Sequence, residues 1–187
     1  MPRRDLARNL DPGPTMIHIR LEQADDAPAI ADLVRTTLGL RAIASPAARM
    51  RERTVPVAGL SLVALDASAA LIGTIRFWPV RIGATPALQL GPLAVRPERR
   101  GEGFGRALAR EGLDRARHMG HRLVVLIGDP AYYRGFGFLP AVPLGLRLPT
   151  AEDEARFQAL ALEPGALAGV AGVVFPTPEA PPRAASG

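Results

Sequence analysis

Cysteine and lysine are both absent from this sequence of 187 residues, and each absence excludes a class of chemistry. Without cysteine the chain has no disulfide bond, no thiolate metal ligand and no thiol nucleophile. Without lysine it has no Walker A phosphate loop and no Schiff-base mechanism. All 23 of its Lys/Arg-type residues are arginines, a usage that a base bias of the genome would also produce.

Serine and histidine are scarce, and their positions do not indicate nucleophilic or metal chemistry. The serines at positions 45, 61, 68 and 186 lie in no Gly-x-Ser-x-Gly elbow, so a covalent acyl-enzyme is not expected. The histidines at positions 18, 118 and 121 form no recognised ligand motif, so no metal is expected. No apolar run is long enough to span a bilayer and no secretory signal opens the chain, which favours a cytoplasmic protein.

The positive charge of the chain is concentrated in one stretch. The formal net charge is +5, and residues 96–117 contain seven arginines against four acidic residues, a local net charge of +3. Such a concentration favours a focused anion site over a general nucleic-acid-binding surface, because no basic face with interleaved aromatic residues accompanies it.

The order of predicted elements indicates a single mixed α/β domain with an early hairpin and a central β–α–β unit. We expect a flexible leader at 1–15, a domain at 16–175 and a flexible tail at 176–187. Predicted strands cover 16–22, 60–67, 70–80, 87–95, 121–128 and a segment near 167–175. Predicted helices cover 25–39, 45–53, 103–119 and a segment near 150–160.

The stretch "RPERRGEGFGRAL", residues 96–108, places three glycines between a predicted strand and a predicted helix. A glycine-rich turn that leads into a helix N-terminus presents several unpaired N–H groups to an anion. It is not a dinucleotide fingerprint, because Arg106 and Leu108 stand where that pattern requires a further glycine. Taken alone, the stretch also fits an ordinary glycine-rich loop with solvated arginines.

Two motifs together resemble the GNAT superfamily of N-acetyltransferases. Arg100-x-x-Gly103-x-Gly105, after "LAV", is similar to its acetyl-CoA-binding motif, and "YYRGFGF" is similar to its tyrosine block, with Tyr133 in register. The stretch 90–140 is most similar to the YhbS-like predicted acetyltransferases of this superfamily. The resemblance implies an α/β (α+β) fold with a mixed, mostly antiparallel central sheet, splayed around CoA and flanked by helices.

The resemblance also implies a donor site. Acetyl-CoA would be the co-substrate, without a metal, and a backbone N–H near Leu93 would polarise the thioester carbonyl. The implied CoA-binding residues are Leu93, Ala94, Val95, Arg100, Gly101, Glu102, Gly103, Phe104, Gly105 and Arg106. Gly91-Pro92 interrupts the strand that carries the first three, either as a simple bulge or as the point where the sheet opens.

The implied general acid is Tyr133, which would protonate the departing thiolate, whereas Tyr132 is expected to be a core aromatic. Two departures from the superfamily favour an alternative, a CoA-binding regulatory module without catalysis. The first is Leu126, where many members have asparagine seven residues before the tyrosine. The second concerns the general base, for which some members have a glutamate on this strand. Here the nearest polar residue is Gln89, which cannot accept a proton, so a water relay or an already neutral amine would be needed.

The acceptor is left open by the sequence. Arg41, Arg49, Arg51 and Arg53 lie in a region that borders the acceptor cleft of the superfamily, which suits an anionic acceptor or an acidic partner, although a solvated helix face has the same pattern. We expect acetyl-CoA and an unidentified amine as partners, and neither nucleic acid nor a membrane span. The sequence does not decide between a monomer and a homodimer.

Overall fold

The structure is a computed structural model that describes residues 17–43, 45–51 and 54–177, without the side chains of residues 40–43. Its strands are β1 (His18–Leu21), β2 (Leu62–Leu65), β3 (Leu71–Ile82), β4 (Thr85–Val95), β5 (Leu123–Ile127), β6 (Leu139–Pro140), β7 (Leu146–Arg147), β8 (Phe157–Ala161) and β9 (Gly172–Pro176). Its α-helices are α1 (Ala27–Ile43), α2 (Pro46–Arg49), α3 (Phe104–His118) and α4 (Pro130–Tyr133). Within these residues no helix is both long and apolar enough to cross a membrane.

The strands form one mixed sheet in the order β1-β2-β3-β4-β5-β8-β6. Neighbours along this order are antiparallel except β4 and β5, which are parallel because α3 crosses between them. Strand β9 pairs with the far end of β3 and, in parallel, with β7. The predicted mixed, mostly antiparallel sheet with flanking helices is confirmed.

The sheet opens between β4 and β5. These strands pair only at Leu88 with Val124 and at Gln89 with Val125. After Gln89, β4 continues through Gly91-Pro92 to Val95 with β3 as its neighbour, and the β3–β4 register shifts at this point. Proline has no N–H to donate and Gly91 has a φ of 136°, so this segment departs from regular strand geometry where the sheet opens.

The two long helices cover opposite faces of the sheet. Helix α3 turns Phe104, Leu108 and Ala116 into a core that includes Phe77 of β3. Helix α1 packs Ile30 and Leu33 on the other face, against Val63, Leu65, Leu71 and Ala94. Both strand faces around β3 and β4 are therefore buried, which accounts for the nearly continuous apolar character of these strands.

Two predicted helices differ from the structure. The helix predicted near 150–160 is wrong: a single 3-10 turn, Glu154–Arg156, leads into strand β8. Strand β8 pairs along its whole length with β5, and this pairing outweighs the helix propensity of its alanines. Helix α1 does not stop at Gly39; the chain is non-helical there, with a φ of 70°, and helical residues resume up to Ile43.

The remaining predicted elements are present, but the strand predicted near 167–175 is the shorter β9, and strands β6 and β7 were not predicted. The basic helix predicted at 45–53 is the short α2, whose first turn is capped by the Ser45 hydroxyl. The predicted leader and most of the predicted tail lie outside the described residues, which end at Thr177. The N–H of Thr177 donates to the carbonyl of Pro79 at the end of the described residues.

Gly112 provides a test of the packing between α3 and the sheet. A Cβ at this position would lie 2.5 Å from Cε2 of Phe77, whose side chain is fully buried. Gly112→Ala should lower the free energy of unfolding by about 1–3 kcal/mol, because the overpacking cost exceeds the gain in helix propensity of ~1 kcal/mol. Urea denaturation measures the change.

Gly135→Ala is the matched control, since its Cβ would meet no atom within 4 Å. That variant should retain nearly the wild-type free energy of unfolding. Equal stabilities for both variants would show that α3 does not pack on Phe77 as described.

Candidate active site

The opening of the sheet and the glycine-rich turn border one cavity of about 580 Å³, called cavity 1. Most of the residues predicted to bind CoA line it: Leu93, Val95, Arg100, Gly101, Gly103, Phe104, Gly105 and Arg106. Tyr133, the predicted general acid, also lines it. Residues from two sequence motifs some 30 positions apart are thus brought to one site.

Two predicted residues do not line this cavity. Ala94 is buried on the opposite face of β4, where it packs with Ile30 and Leu33 of α1. Glu102 is exposed and forms an ion pair with Arg99 instead. Their neighbours alternate with them along the strand and the turn, and it is these neighbours that face cavity 1.

The turn has the backbone conformation of an anion cradle. Gly101 and Gly103 have φ values of 85° and 91°, a left-handed region that favours glycine. Gly103 is the N-cap of α3 and supplies no side-chain cap, so the first N–H groups of the helix are open toward the cavity. The positive end of the α3 dipole adds to this attraction for anions.

The arginines of the turn have two different roles. Arg99 donates to both carboxylate oxygens of Glu102, at 2.8 and 2.9 Å, and to Asp66 at 3.1 Å, and its guanidinium lies 5.0 Å from the ring centroid of Phe104. It therefore ties the turn to the β2–β3 connection. Arg100 and Arg106 are exposed at cavity 1, and within the described chain neither forms an ion pair.

The open edge of β4 presents backbone groups to the cavity. The N–H of Arg96 donates to the carbonyl of Ile72 at 2.9 Å, so Arg96 faces β3. The backbone N–H and C=O groups of successive residues in a strand point to alternate sides. Those of Ala94 therefore point toward β3, and those of Leu93 and Val95 point toward the opening. No described strand pairs with Leu93 or Val95 on that side.

A second cavity of about 860 Å³, called cavity 2, adjoins cavity 1 at the opening. It is bordered by α2, by Gly91-Pro92 and by the segment that contains Asp153. The two cavities share three lining residues, Leu38, Leu93 and Tyr133. These three residues mark the place where contents of one cavity can meet contents of the other.

Tyr133 is held at this junction by packing. Its ring lies edge-on to Phe138, with centroids 5.6 Å apart, and near Tyr132 at 4.9 Å. A Cβ on Gly128 would collide with the ring, so glycine at that position makes the placement sterically feasible. Burial raises the pKa of the Tyr133 phenol well above its usual range.

Tyr132 is not the core residue that we expected. It lines cavity 1 rather than the core, and its hydroxyl lies beside Gly105, 2.9 Å from where a Cβ would be. Burial raises the pKa of its phenol, an effect that the charge of Arg106 partly opposes. Tyr133, by contrast, packs against the main core cluster.

Several lining residues were not predicted. Thr37 and Leu38 come from α1 just before its non-helical residue Gly39, and the Thr37 hydroxyl is buried without a hydrogen-bond partner among the described residues. Asp129 lines cavity 2, where its side chain accepts from the N–H of Ala131 at 2.9 Å. Only the Pro130 that follows Asp129, a signal for a helix start, could have identified that residue as a cap.

The predicted basic patch is described only in part. Arg53 and the side chain of Arg41 lie outside the described residues. Arg49 forms an ion pair with Glu152 at 3.2 Å. Of the two whose side chains the structure describes, only Arg51 lines cavity 2.

Gln89 has a structural role and does not reach the candidate site. Its side chain is fully buried, its Nε2 donates to the carbonyl of Ala47 at 2.8 Å, and it lines neither cavity. It therefore anchors α2 to the sheet.

Among the described residues there is also no group of three or more histidine, aspartate or glutamate side chains that could hold a metal ion.

Comparison with known proteins gives the site a family. The profile of the Acetyltransferase (GNAT) family matches residues 29–138. The Escherichia coli K12 protein YhbS, an uncharacterized N-acetyltransferase, is 39% identical over 158 residues, which cover 83% of this chain and 93% of YhbS.

Solved structures agree with the sequence match. The crystal structure of E. coli YhbS in complex with CoA superimposes with a TM-score of 0.78 at 36% identity, covering 89% of this chain and 92% of that one. A GNAT acetyltransferase from Brucella melitensis in complex with acetyl-CoA gives a TM-score of 0.59 at 34% identity, covering 80% of this chain and 90% of that one. The chain described here belongs to the GNAT family of N-acetyltransferases, enzymes that use acetyl-CoA as co-substrate.

Proposed function

We propose that this protein transfers the acetyl group of acetyl-CoA to an acceptor amine by direct attack, with Tyr133 as the general acid. CoA occupies cavity 1, and the amine enters through cavity 2. The observation that carries the proposal is the junction of the two cavities at Leu38, Leu93 and Tyr133. A thioester carbonyl at this point is accessible to an amine from the other side.

The glycine-rich turn supplies the pyrophosphate site. Backbone N–H groups from Gly101 to Arg106 donate to phosphate oxygens, which approach closely because glycine has no side chain. Arg100 and Arg106 add charge-assisted hydrogen bonds. Arg99 is already bonded to Glu102 and Asp66, so its part is to hold the turn in shape.

The open edge of β4 supplies the pantetheine site. The arm lies in the opening like an additional strand and bonds to the backbone of Leu93 and Val95. With the thioester at Leu93, the N–H of that residue donates to the carbonyl oxygen and stabilises the negative charge that develops there.

The chemistry requires one bond to form and one to break. The amine nitrogen attacks the thioester carbon, the C–N bond forms, and the C–S bond then breaks. The Tyr133 hydroxyl gives its proton to the departing sulfur, and the phenolate regains a proton from solvent. The amine gives up one proton to water, because Gln89 is buried away from both cavities.

The reaction releases one free thiol of CoA for each acetyl group transferred. A thiol assay with acetyl-CoA across a panel of amines therefore tests the proposal. Amine-dependent thiol release, with the acetylated amine found by mass spectrometry, would support it. Tight CoA binding without release for any amine would favour the regulatory module instead.

The cytoplasmic location expected from the sequence stays a prediction.

The cradle is tested at Gly103. Asparagine tolerates a left-handed φ but fills space in cavity 1, so Gly103→Asn should weaken CoA binding by at least ~10-fold. Gly120→Asn is the matched control, because Gly120 has a φ of 82° and equally open surroundings but lines neither cavity. Calorimetry with CoA should show wild-type affinity for the Gly120 variant. Equal affinities for the two variants would exclude the turn as the pyrophosphate site.

The general acid is tested by removing one hydroxyl. Tyr133→Phe keeps the ring and its packing, so CoA affinity and Tm should hardly change, whereas kcat should fall by ~10²–10⁴-fold. Tyr132→Phe is the control, and its kcat should stay within a few-fold of wild type. Steady-state rates with a saturating amine measure both.

The pH dependence gives a second readout for Tyr133. A general acid works only while protonated, and the pKa of this phenol lies above its ordinary value of ~10. The kcat of the wild type should therefore not decline on the alkaline side below about pH 10. Near-wild-type kcat in Tyr133→Phe would remove this residue from the mechanism.

A further inference from the structure

Arg51 occupies a fixed position at the wall of cavity 2. It follows α2, which Gln89 ties to the sheet through the carbonyl of Ala47, and the preceding Met50 is buried in the core. The guanidinium lies 5.9 Å from the ring centroid of Trp78, and the Trp78 indole in turn donates to the carbonyl of Gly91. The side chain is thus positioned beside the opening of the sheet.

Arg51 lacks the partner that neighbouring arginines have. Arg49 pairs with Glu152, Arg76 with Glu22 and Arg156 with Asp153. Within the described part of the chain, Arg51 pairs with no carboxylate. Burial and the nearby charge of Arg76 lower the pKa of the guanidinium to about 10, so it is still a cation at neutral pH. A largely buried cation without a counterion is costly, and an anionic ligand in the cavity would offset that cost.

The remaining charges of cavity 2 indicate the kind of anion. Glu152 and Asp153 are already neutralised by arginines, whereas Asp129 forms no ion pair among the residues described. The carboxylate of Asp129 repels a singly charged carboxylate less than it repels a dianionic phosphate. The carboxylate of Asp129, which lines cavity 2 together with Tyr133, attracts a positively charged amine in turn.

We propose that the acceptor is a small amino-carboxylate whose carboxylate is held by Arg51 in cavity 2. This inference rests on the proposed acetyl transfer and names its substrate class. The planar guanidinium matches a carboxylate with two parallel hydrogen bonds, while the amine is turned toward Tyr133 at the junction.

The first test uses probes that cannot be acetylated. Trimethylglycine carries a cation and a carboxylate, and choline carries the same cation without the carboxylate. CoA-loaded wild-type protein should bind trimethylglycine roughly 10- to 100-fold more tightly than choline, the factor expected for a charge-assisted pair. Arg51→Met should abolish this preference and leave CoA affinity unchanged. Titration followed by NMR measures the binding.

Arg110→Gln is the control, because Arg110 is exposed on α3 and lines neither cavity, and its substitution removes the same charge. It should keep the full preference. Arg51→Lys keeps the charge but loses the two parallel hydrogen bonds, so the preference should fall by about 3-fold or more. This variant provides the test if Arg51→Met does not fold. Equal binding of the two probes to wild type, or a preference that survives in Arg51→Met, would overturn the proposal.

A second test separates this inference from the transfer reaction. Free amino acids and their carboxamides are compared by thiol release from acetyl-CoA, and kcat/KM should favour the acids by roughly 10-fold or more in wild type only. Transfer to amines with no preference for acids would support the reaction and refute the role of Arg51. A trimethylglycine preference that depends on Arg51, without turnover of any amine, would support the carboxylate site and refute the reaction.

Discussion

The separation of β4 from β5 is the constraint on which the rest of the site depends. The two strands pair at only two positions, and the backbone of Leu93 and Val95 is then left facing an opening. Unpaired backbone groups at a strand edge need another partner, and water or an extended ligand can supply it. The cavity, the exposed helix start and the approach of Tyr133 all follow from this one departure from a continuous sheet.

The fold holds the opening apart from both sides. Helix α3 packs Phe104 and Leu108 into the core below the glycine-rich turn, while α1 buries Ala94 from the opposite face. Arg99 joins the turn to Asp66 and Glu102. These contacts hold the base of the turn in one conformation, while the N–H groups at its rim have no side-chain cap. Such preorganisation lowers the entropy cost of binding a long, flexible cofactor.

The sequence was sufficient for features that depend on local chemistry. Strand periodicity, the glycines before α3 and the tyrosine block predicted the order of elements and most of cavity 1. It failed where tertiary pairing decides: β8 is a strand because β5 needs a partner, which no local pattern of residues 150–160 reveals. Tyr132 and Tyr133 are adjacent and chemically identical, so only packing determines which one reaches both cavities. That Arg51 has no carboxylate partner among the described residues likewise depends on tertiary structure, because the nearby acidic side chains pair with other arginines.

A crystal structure with acetyl-CoA bound tests the central claim most directly. The account predicts pyrophosphate oxygens at ~3 Å from backbone N–H groups between Gly101 and Arg106, and a pantetheine arm that bonds to Leu93 and Val95 in the opening. The thioester should then lie between Tyr133 and cavity 2. A cofactor bound elsewhere, or a β4–β5 pair that closes along its length when acetyl-CoA binds, would contradict the account.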